Sequence, residues 1–548
     1  MGTEKLDLGA FVGLMGRRRF LALGGGTLAA AALAACGSGD GATDAVVDTT
    51  SGATGATGEP VRGGTLSFTR NFEAQDLNPM GSADNGSIFT RVQMFDTLVH
   101  ADPDTAPEVS PALAESWSTS DDGLVWTFIL RDATFSNGDP VTADDVKFSI
   151  DRLADPQINV NIPSLGTGIV GCTVVDAKTV SIELDRPVGA FLTNLSIFPA
   201  SIVSKKLVEA EGDAHWENPV GTGPFVLKEW VRGSHLVLAR NERYWEAGLP
   251  YLDEVRFDYV ADDNARIVRI ESGDAQIIEG VPFSQINALS GKEGFGIQVD
   301  PIVRFESIFL NHRKGSLGEV GVRQALNYAI DKKAISEAIY SGVAETANSM
   351  IPRATFQDDA VPAYDFDLEK AKGLMAASST PDGFELSLIY PTGSETIKQM
   401  VTAVQSQWAE IGVKVSLEQI DPGAIWPKFE GGEYDACIPL PQFTADMALP
   451  DEVALLFFNN DADNALAGFF TGWQIPQELS DTTKQAAFTN DQALRAELWP
   501  KVQRMAMEQA PWITLFFLPS VHGVSSKVRG FRVLTEGWWD LEDVWLEA

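Results

Sequence analysis

The sequence predicts an α/β protein folded into two lobes behind a separate N-terminal segment, and three observations carry this. Residues 1–60 have the composition of an export signal and a tether rather than of a core. The body up to about residue 310 mixes several strands with a few helices. Beyond Asn311 the pattern changes to strand–helix–strand units.

The N-terminus comes first. Arg17-Arg18-Arg19 precedes an uncharged run from Phe20 to Ala35. A positive start, an apolar middle and a small-residue end make an export signal. The run is shorter than the roughly 20 apolar residues of a permanent membrane helix. Gly24, Gly25 and Gly26 weaken it further as a helix. Leu33-Ala34-Ala35-Cys36 resembles a bacterial lipobox, in which the cysteine becomes the lipidated first residue. Arg17-Arg18-Arg19-Phe20-Leu21 resembles a twin-arginine signal, which exports folded chains. Residues 36–60 then read as a flexible linker, because Gly, Ala, Ser, Thr and Asp without aromatics cannot bury enough surface to fold. Such a tether spans about 25–30 Å root-mean-square. The domain layout is therefore a signal over 1–35, a lipid-anchored linker over 36–60 and a two-lobed body.

The whole chain is 548 residues, 44% hydrophobic, with a formal charge of −35. That supports a large core. So acidic a surface argues against nucleic acid or anionic membrane as the partner. With Cys36 assigned to lipid, Cys172 and Cys437 remain, far apart and in strand-like runs. They read as two buried free thiols.

Within the body, Thr65-Leu66-Ser67-Phe68 opens as a strand. Asp121-Asp122-Gly123 marks a turn before the strand Val125 to Leu130. Thr142 caps a helix with Asp145 three residues on, and Val146, Ile150 and Leu153 form its apolar side. Val174 to Leu184 and Leu236 to Ala239 return to strand. In the second half, Val322, Leu326, Ile330, Ile335 and Ile339 mark a helical stripe. Phe384, Leu386, Leu388 and Tyr390 alternate as a strand, and Ile397, Val401, Val404, Trp408 and Ile411 follow at helical spacing. Gly412 stands at the C-cap, and Val413, Val415 and Leu417 alternate again. This predicts a parallel strand pair with a right-handed crossover.

Catalytic motifs are sparse. Gly166-Thr167-Gly168-Ile169-Val170-Gly171 matches G-x-G-x-x-G, but Pro163 precedes it and a β-like run follows, the wrong setting for a dinucleotide. The five histidines form no ligand pair at helical spacing. Asn459, Asp461 and Asp463 hint at a calcium loop, yet Asn464 and Phe470 replace its glycine and closing acid. No catalytic set, metal site or cofactor is expected. An exported enzyme or a surface receptor on the same scaffold stays as the alternative.

The blocks that run from Arg62 to about Pro519 resemble the extracellular solute-binding proteins of peptide, nickel and opine ABC importers. They are Arg62-Gly63-Gly64-Thr65-Leu66, Leu77-Asn78-Pro79, Phe95-Asp96-Thr97-Leu98-Val99 and Pro111 to Trp117. Ser120 to Phe128 and Phe135 to Val146 follow. Gly221-Thr222-Gly223-Pro224-Phe225 with Trp230, Arg240-Asn241 and Tyr244-Trp245 makes the most recognisable block, and Val322 to Asp331 matches the second-lobe helix. Each has a packing explanation, so together they identify a scaffold and leave the ligand open.

The resemblance implies a periplasmic-binding-protein-like fold of the class II type with an enlarged first lobe and a hinge crossed twice. Lobe one would hold 61–310 plus 514–548, and lobe two 311–513, with crossings near Phe309-Leu310-Asn311 and Pro511-Trp512-Ile513. The protein would act as a monomer, capture a small solute or peptide outside the membrane, and deliver it to an ABC permease with its ATPase. In peptide-binding members a lobe-two Asp-Pro carboxylate anchors the ligand's α-ammonium. Here the segment reads Phe443-Thr444-Ala445-Asp446-Met447-Ala448-Leu449-Pro450-Asp451, and Leu449 falls at the acid's place. An apolar side chain cannot compensate a desolvated ammonium, which counts against free-amine peptides unless Asp446 takes the acid's place. The expected ligand-binding residues are Phe443, Asp446, Met447 and Leu449, Trp426 as a second aromatic wall, and Phe72 and Glu73 from lobe one.

Overall fold

The computed structural model describes residues 59–82, 84–101, 109–351, 356, 360–439, 443–445, 449–461 and 470–547. The export signal, Cys36, most of the linker, Asp446 and Met447 lie outside these residues, and of Phe443 and Thr444 the backbone alone is described. No helix among the described residues is long and apolar enough to cross a membrane.

Lobe one is built on a seven-stranded sheet in the order Phe295–Asp300, Ser520–Ser525, Ile277–Glu279, Thr65–Arg70, Glu254–Tyr259, His235–Arg240, Phe225–Val231. The opening strand Thr65–Arg70 sits at its centre, parallel to both neighbours. Leu66 and Phe68 point into the core and register with Val255 and Phe257, as the period-2 alternation requires. A separate four-stranded antiparallel sheet enlarges this lobe, in the order Ala114–Thr119, Val125–Leu130, Thr179–Leu184, Ile169–Asp176. Helix Ala143–Ala154 packs on it through Val146, Ile150 and Leu153. Its start is the expected capping box: Asp145 N–H donates to Thr142 Oγ1 at 3.3 Å, and Thr142 N–H to Asp145 Oδ2 at 3.0 Å. The glycine-rich motif runs from a short 3₁₀ turn, Pro163–Gly166, into the strand Ile169–Asp176. With no helix N-terminus after it, it cannot cradle a pyrophosphate.

Lobe two holds the second sheet, in the order Glu345–Thr346, Trp512–Phe517, Arg304–Leu310, Ala436–Cys437, Glu385–Pro391, Lys414–Ile420, and Phe443–Thr444 pairs with the start of Arg304–Leu310. The predicted crossover unit is present: Glu385–Pro391 and Lys414–Ile420 are parallel neighbours joined by helix Glu395–Ala409. Gly412, at φ +82°, turns the chain between helix and strand in a conformation that favours glycine. The stripe from Val322 to Ile339 is two helices, Val320–Tyr328 and Lys332–Ile339. Asp331 divides them by accepting the Ala334 N–H at 2.9 Å, so a new N-cap wins over continued periodicity. Both thiols are buried, and burial pushes Cys172 up to about 12.

The chain passes between the sheets twice, over residues 301–303 and 518–519. The expected crossing at 310/311 lies at the end of Arg304–Leu310 and that at 513/514 within Trp512–Phe517, adjacent strands of the second sheet. Both strands are buried on two faces almost throughout, so their sequence carries no mark of where a lobe begins. The passages touch one another: Leu518 N–H donates to Arg304 O at 2.7 Å.

Candidate functional site at the passage between the lobes

The end of the central lobe-one strand points at the passages. Arg70, fully buried, donates from Nε to Glu279 Oε2 at 2.9 Å and from Nη1 to the Gly86 carbonyl and Thr90 Oγ1. Its guanidinium lies 4.7 Å from the Trp539 ring centre and 5.4 Å from that of Phe257. A buried charge held this way is paired, hydrogen-bonded and covered by aromatic faces, which offsets its desolvation.

Across the passage stands Arg304, half-buried, at the first position of the second sheet. Burial pulls its guanidinium down to about 10, against the opposing charges of Glu279 and Glu306. His522, on the strand that re-enters lobe one, is fully buried. Burial and then the charges of Arg304 and Arg70 press it down to about 3, so the ring is neutral. Trp539 Nε1–H donates to His522 Nε2 at 3.2 Å, which puts the ring proton on Nδ1. Two arginines, two glutamates and a neutral histidine thus stand at the two passages.

The segment expected to meet the ligand lies against this cluster. Phe443 and Thr444 are the strand partners of Phe305 and Arg304, and Ala445 N–H donates to the Val303 carbonyl at 3.2 Å. Leu449 is buried, 6% exposed, within the apolar core just before helix Asp451–Phe457. Phe72 is 54% exposed in the loop that follows Arg70. Glu73 is turned away to the hairpin beyond Val231, where its Oε1 accepts the Gly233 N–H at 2.7 Å. Trp426 sits inside lobe two. Its ring centre is 5.5 Å from Phe429 and 5.6 Å from Phe470, and its N–H is used by Glu430 at 2.6 Å. The fold brings Phe443, Thr444 and Ala445 to the passage, buries Leu449 in the apolar core, and leaves Trp426 and the Glu73 carboxylate engaged elsewhere.

Sequence reasoning missed the central strands. Ser307 and Thr514 are register partners, 4% and 1% exposed. Among the described residues their hydroxyls have no hydrogen-bond partner, and neither does the Trp512 indole N–H. Phe309 and Trp512 pair two positions along, and Phe458 stacks on Trp512 at 5.8 Å and 10°. Buried polar groups are nearly always satisfied. In the sequence Ser307 and Thr514 are two ordinary residues in apolar strands, and only the pairing of residues 207 positions apart brings them together.

Among the described residues the cluster holds no nucleophile–base pair. Among the described residues no group of three or more His, Cys, Asp or Glu is placed to hold a metal ion.

Comparison with known proteins agrees. Residues 108–465 match the model of the bacterial extracellular solute-binding proteins, family 5. The glutathione-binding protein GsiB of Escherichia coli O1:K1 / APEC is 28% identical over 477 residues, 86% of this chain and 92% of its own length. The periplasmic binding protein DppA of Helicobacter pylori, solved with the peptide STSA, superposes with a TM-score of 0.77 at 26% identity, over 89% of this chain and 99% of that one. NikA of Brucella suis, solved with Fe(III)-EDTA, gives a TM-score of 0.79 over 88% and 100% of the two chains; at 23% identity it shares the fold alone. On the family match, which spans well over half of the chain, and with the two-lobed fold it shares with its relatives, the chain belongs to the family 5 extracellular solute-binding proteins, the substrate-binding components of ABC transporters.

Proposed function

We propose that this binding protein is a lipoprotein, anchored through Cys36, which captures a small solute lacking a free α-ammonium and hands it to its permease. The observation that carries the ligand reading is Leu449, an apolar and buried side chain where the resemblance implies the ammonium-anchoring acid of peptide binders. Leaving an ammonium buried and unpaired costs several kcal/mol, or orders of magnitude in affinity. Opines, glycosides, metallophores and blocked peptides fit such a place, with the Ser307 and Thr514 hydroxyls free to meet their polar groups. The range of ligands among the relatives supports a scaffold open to these classes: GsiB is named for glutathione, DppA was solved with a peptide, and AgaA of A. tumefaciens R10 with agropinic acid. The twin-arginine-like signal and the linker support export and tethering, and a monomer suits a clamp with one passage between two lobes.

Calorimetry against a panel of unmodified dipeptides tests the ligand reading, on protein unfolded and refolded to shed anything carried through purification. Weak or absent binding is expected. Low-micromolar binding by several dipeptides sinks it. Leu449→Asp is the converse: it should gain dipeptide affinity, with a thermal melt confirming that the variant folds.

A further inference from the structure

We infer that Gly189 is a positioning residue for closure, its missing side chain letting the four-stranded sheet of lobe one seat on the helices of lobe two at a second contact. The inference rests on the hinged-clamp reading. Gly189 follows the last strand of that sheet, and its N–H donates to the Ala487 carbonyl at 2.9 Å, at the end of helix Gln477–Ala487. A methyl group there would lie 2.1 Å from Arg495 Nη1 and 2.6 Å from the Thr489 carbonyl. Neither neighbour can yield. Thr489 O is backbone. Arg495, on helix Gln492–Glu508, is 1% exposed and gripped at 2.9 and 2.7 Å by both oxygens of Asp451, and at 2.8 Å by the Ala486 carbonyl. Beside this point the Arg186 guanidinium covers the Phe488 ring at 4.9 Å.

The seam lies on opposite sides of the hinge. Gly189 precedes the first passage, residues 301–303, and Ala487 to Arg495 lie between the two passages. A rotation about the passages that draws the four-stranded sheet away from helix Gln477–Ala487 would break the Gly189–Ala487 hydrogen bond. The backbone of Gly189 is outside the left-handed region, so an open form accepts alanine without strain. Alanine therefore penalises the closed form alone. Contacts that exist only in the closed state shift the open–closed balance without touching the bound solute.

The test needs no ligand. In the full chain, nitroxide labels are placed at Val175→Cys on the four-stranded sheet and Glu395→Cys on lobe two, both exposed positions. Electron–electron distance measurement then reads the closed and open populations directly. Overpacking a rigid contact shifts such a balance by about tenfold or more. Gly189→Ala should move the population to the longer distance by that factor, with circular dichroism unchanged. Gly171→Ala, in the same sheet where a methyl meets nothing within 4 Å, should leave it alone. An unshifted distribution in Gly189→Ala, in protein whose parent shows both distances, overturns the inference. A single distance in the parent, both as purified and after refolding from denaturant, overturns the clamp reading and the inference with it. Should Gly189→Ala fail to fold, Phe488→Ala removes a seam contact without adding an atom. It should shift the balance the same way by several-fold, and the parent's ratio in that variant refutes the proposal.

Discussion

Breaking the buried ion pair of lobe two should cost more than removing it. Arg495 and Asp451 are 1% and 2% exposed and joined by two parallel hydrogen bonds of 2.9 and 2.7 Å. Asp451→Leu leaves a desolvated guanidinium whose remaining hydrogen bond goes to one carbonyl, that of Ala486. Arg495→Met leaves a desolvated carboxylate. Each single change should cost about 3–5 kcal/mol. The double replacement removes both charges and leaves the Ala486 carbonyl short of one donor, worth about 1–3 kcal/mol. The double variant should thus be more stable than either single one, giving a coupling of several kcal/mol between contacting residues. Urea unfolding followed by far-ultraviolet circular dichroism and tryptophan fluorescence reads the four stabilities, with slopes compared to confirm that each unfolds the same surface. Two results refute the reasoning. One is single losses below about 1 kcal/mol, which would mean that water reaches the pair. The other is additivity, which would mean that the two side chains act independently.

Two further outcomes follow from the N-terminus and from a pocket in lobe one. Cys36→Ser should move the protein from the membrane fraction to the soluble one, since acyl chains supply about 0.8 kcal/mol per buried CH₂; a variant that resists a carbonate wash disproves lipid anchoring. In lobe one, burial lowers the His100 imidazolium, but the Asp96 hydrogen bond and the charges of Asp96, Glu542 and Asp540 outweigh it and lift it to about 9. Burial, then the Asp540 charge, raises Glu542 to about 8, against the pull of His100 and of Tyr244, whose hydroxyl donates to Glu542 at 2.7 Å. Both groups hold protons in the folded state that the unfolded chain releases earlier. Glu542 lowers stability as pH rises from 4.5 to about 8, and the His100 contribution, full below 6.5, is lost as pH rises through about 9. Urea titrations from pH 5 to 9 should show stability falling, with a flatter course in His100→Gln/Glu542→Gln; parallel curves would contradict the assignment.

Much of this protein was legible because it is local. Strand alternation at Leu66 and Phe68, the Thr142–Asp145 cap and the strand–helix–strand unit ending at Gly412 are decided within a few residues by side-chain period and backbone sterics. The order of the family blocks carried the scaffold, and with it the two lobes. What tertiary structure decided is everything that depends on distant residues meeting. The passages sit at 301–303 and 518–519 because Arg304–Leu310 and Trp512–Phe517 pair with each other, and both strands read alike on either side of the hinge. Trp426, an aromatic wall by sequence, is enclosed by Phe429 and Phe470 because its helix turns that face inward. Ser307 with Thr514, and Gly189 with Arg495, are invisible in one dimension. Hydrogen bonding and steric exclusion act over a few ångströms, and chain separations of 207 and 306 residues are closed to that range only by the fold.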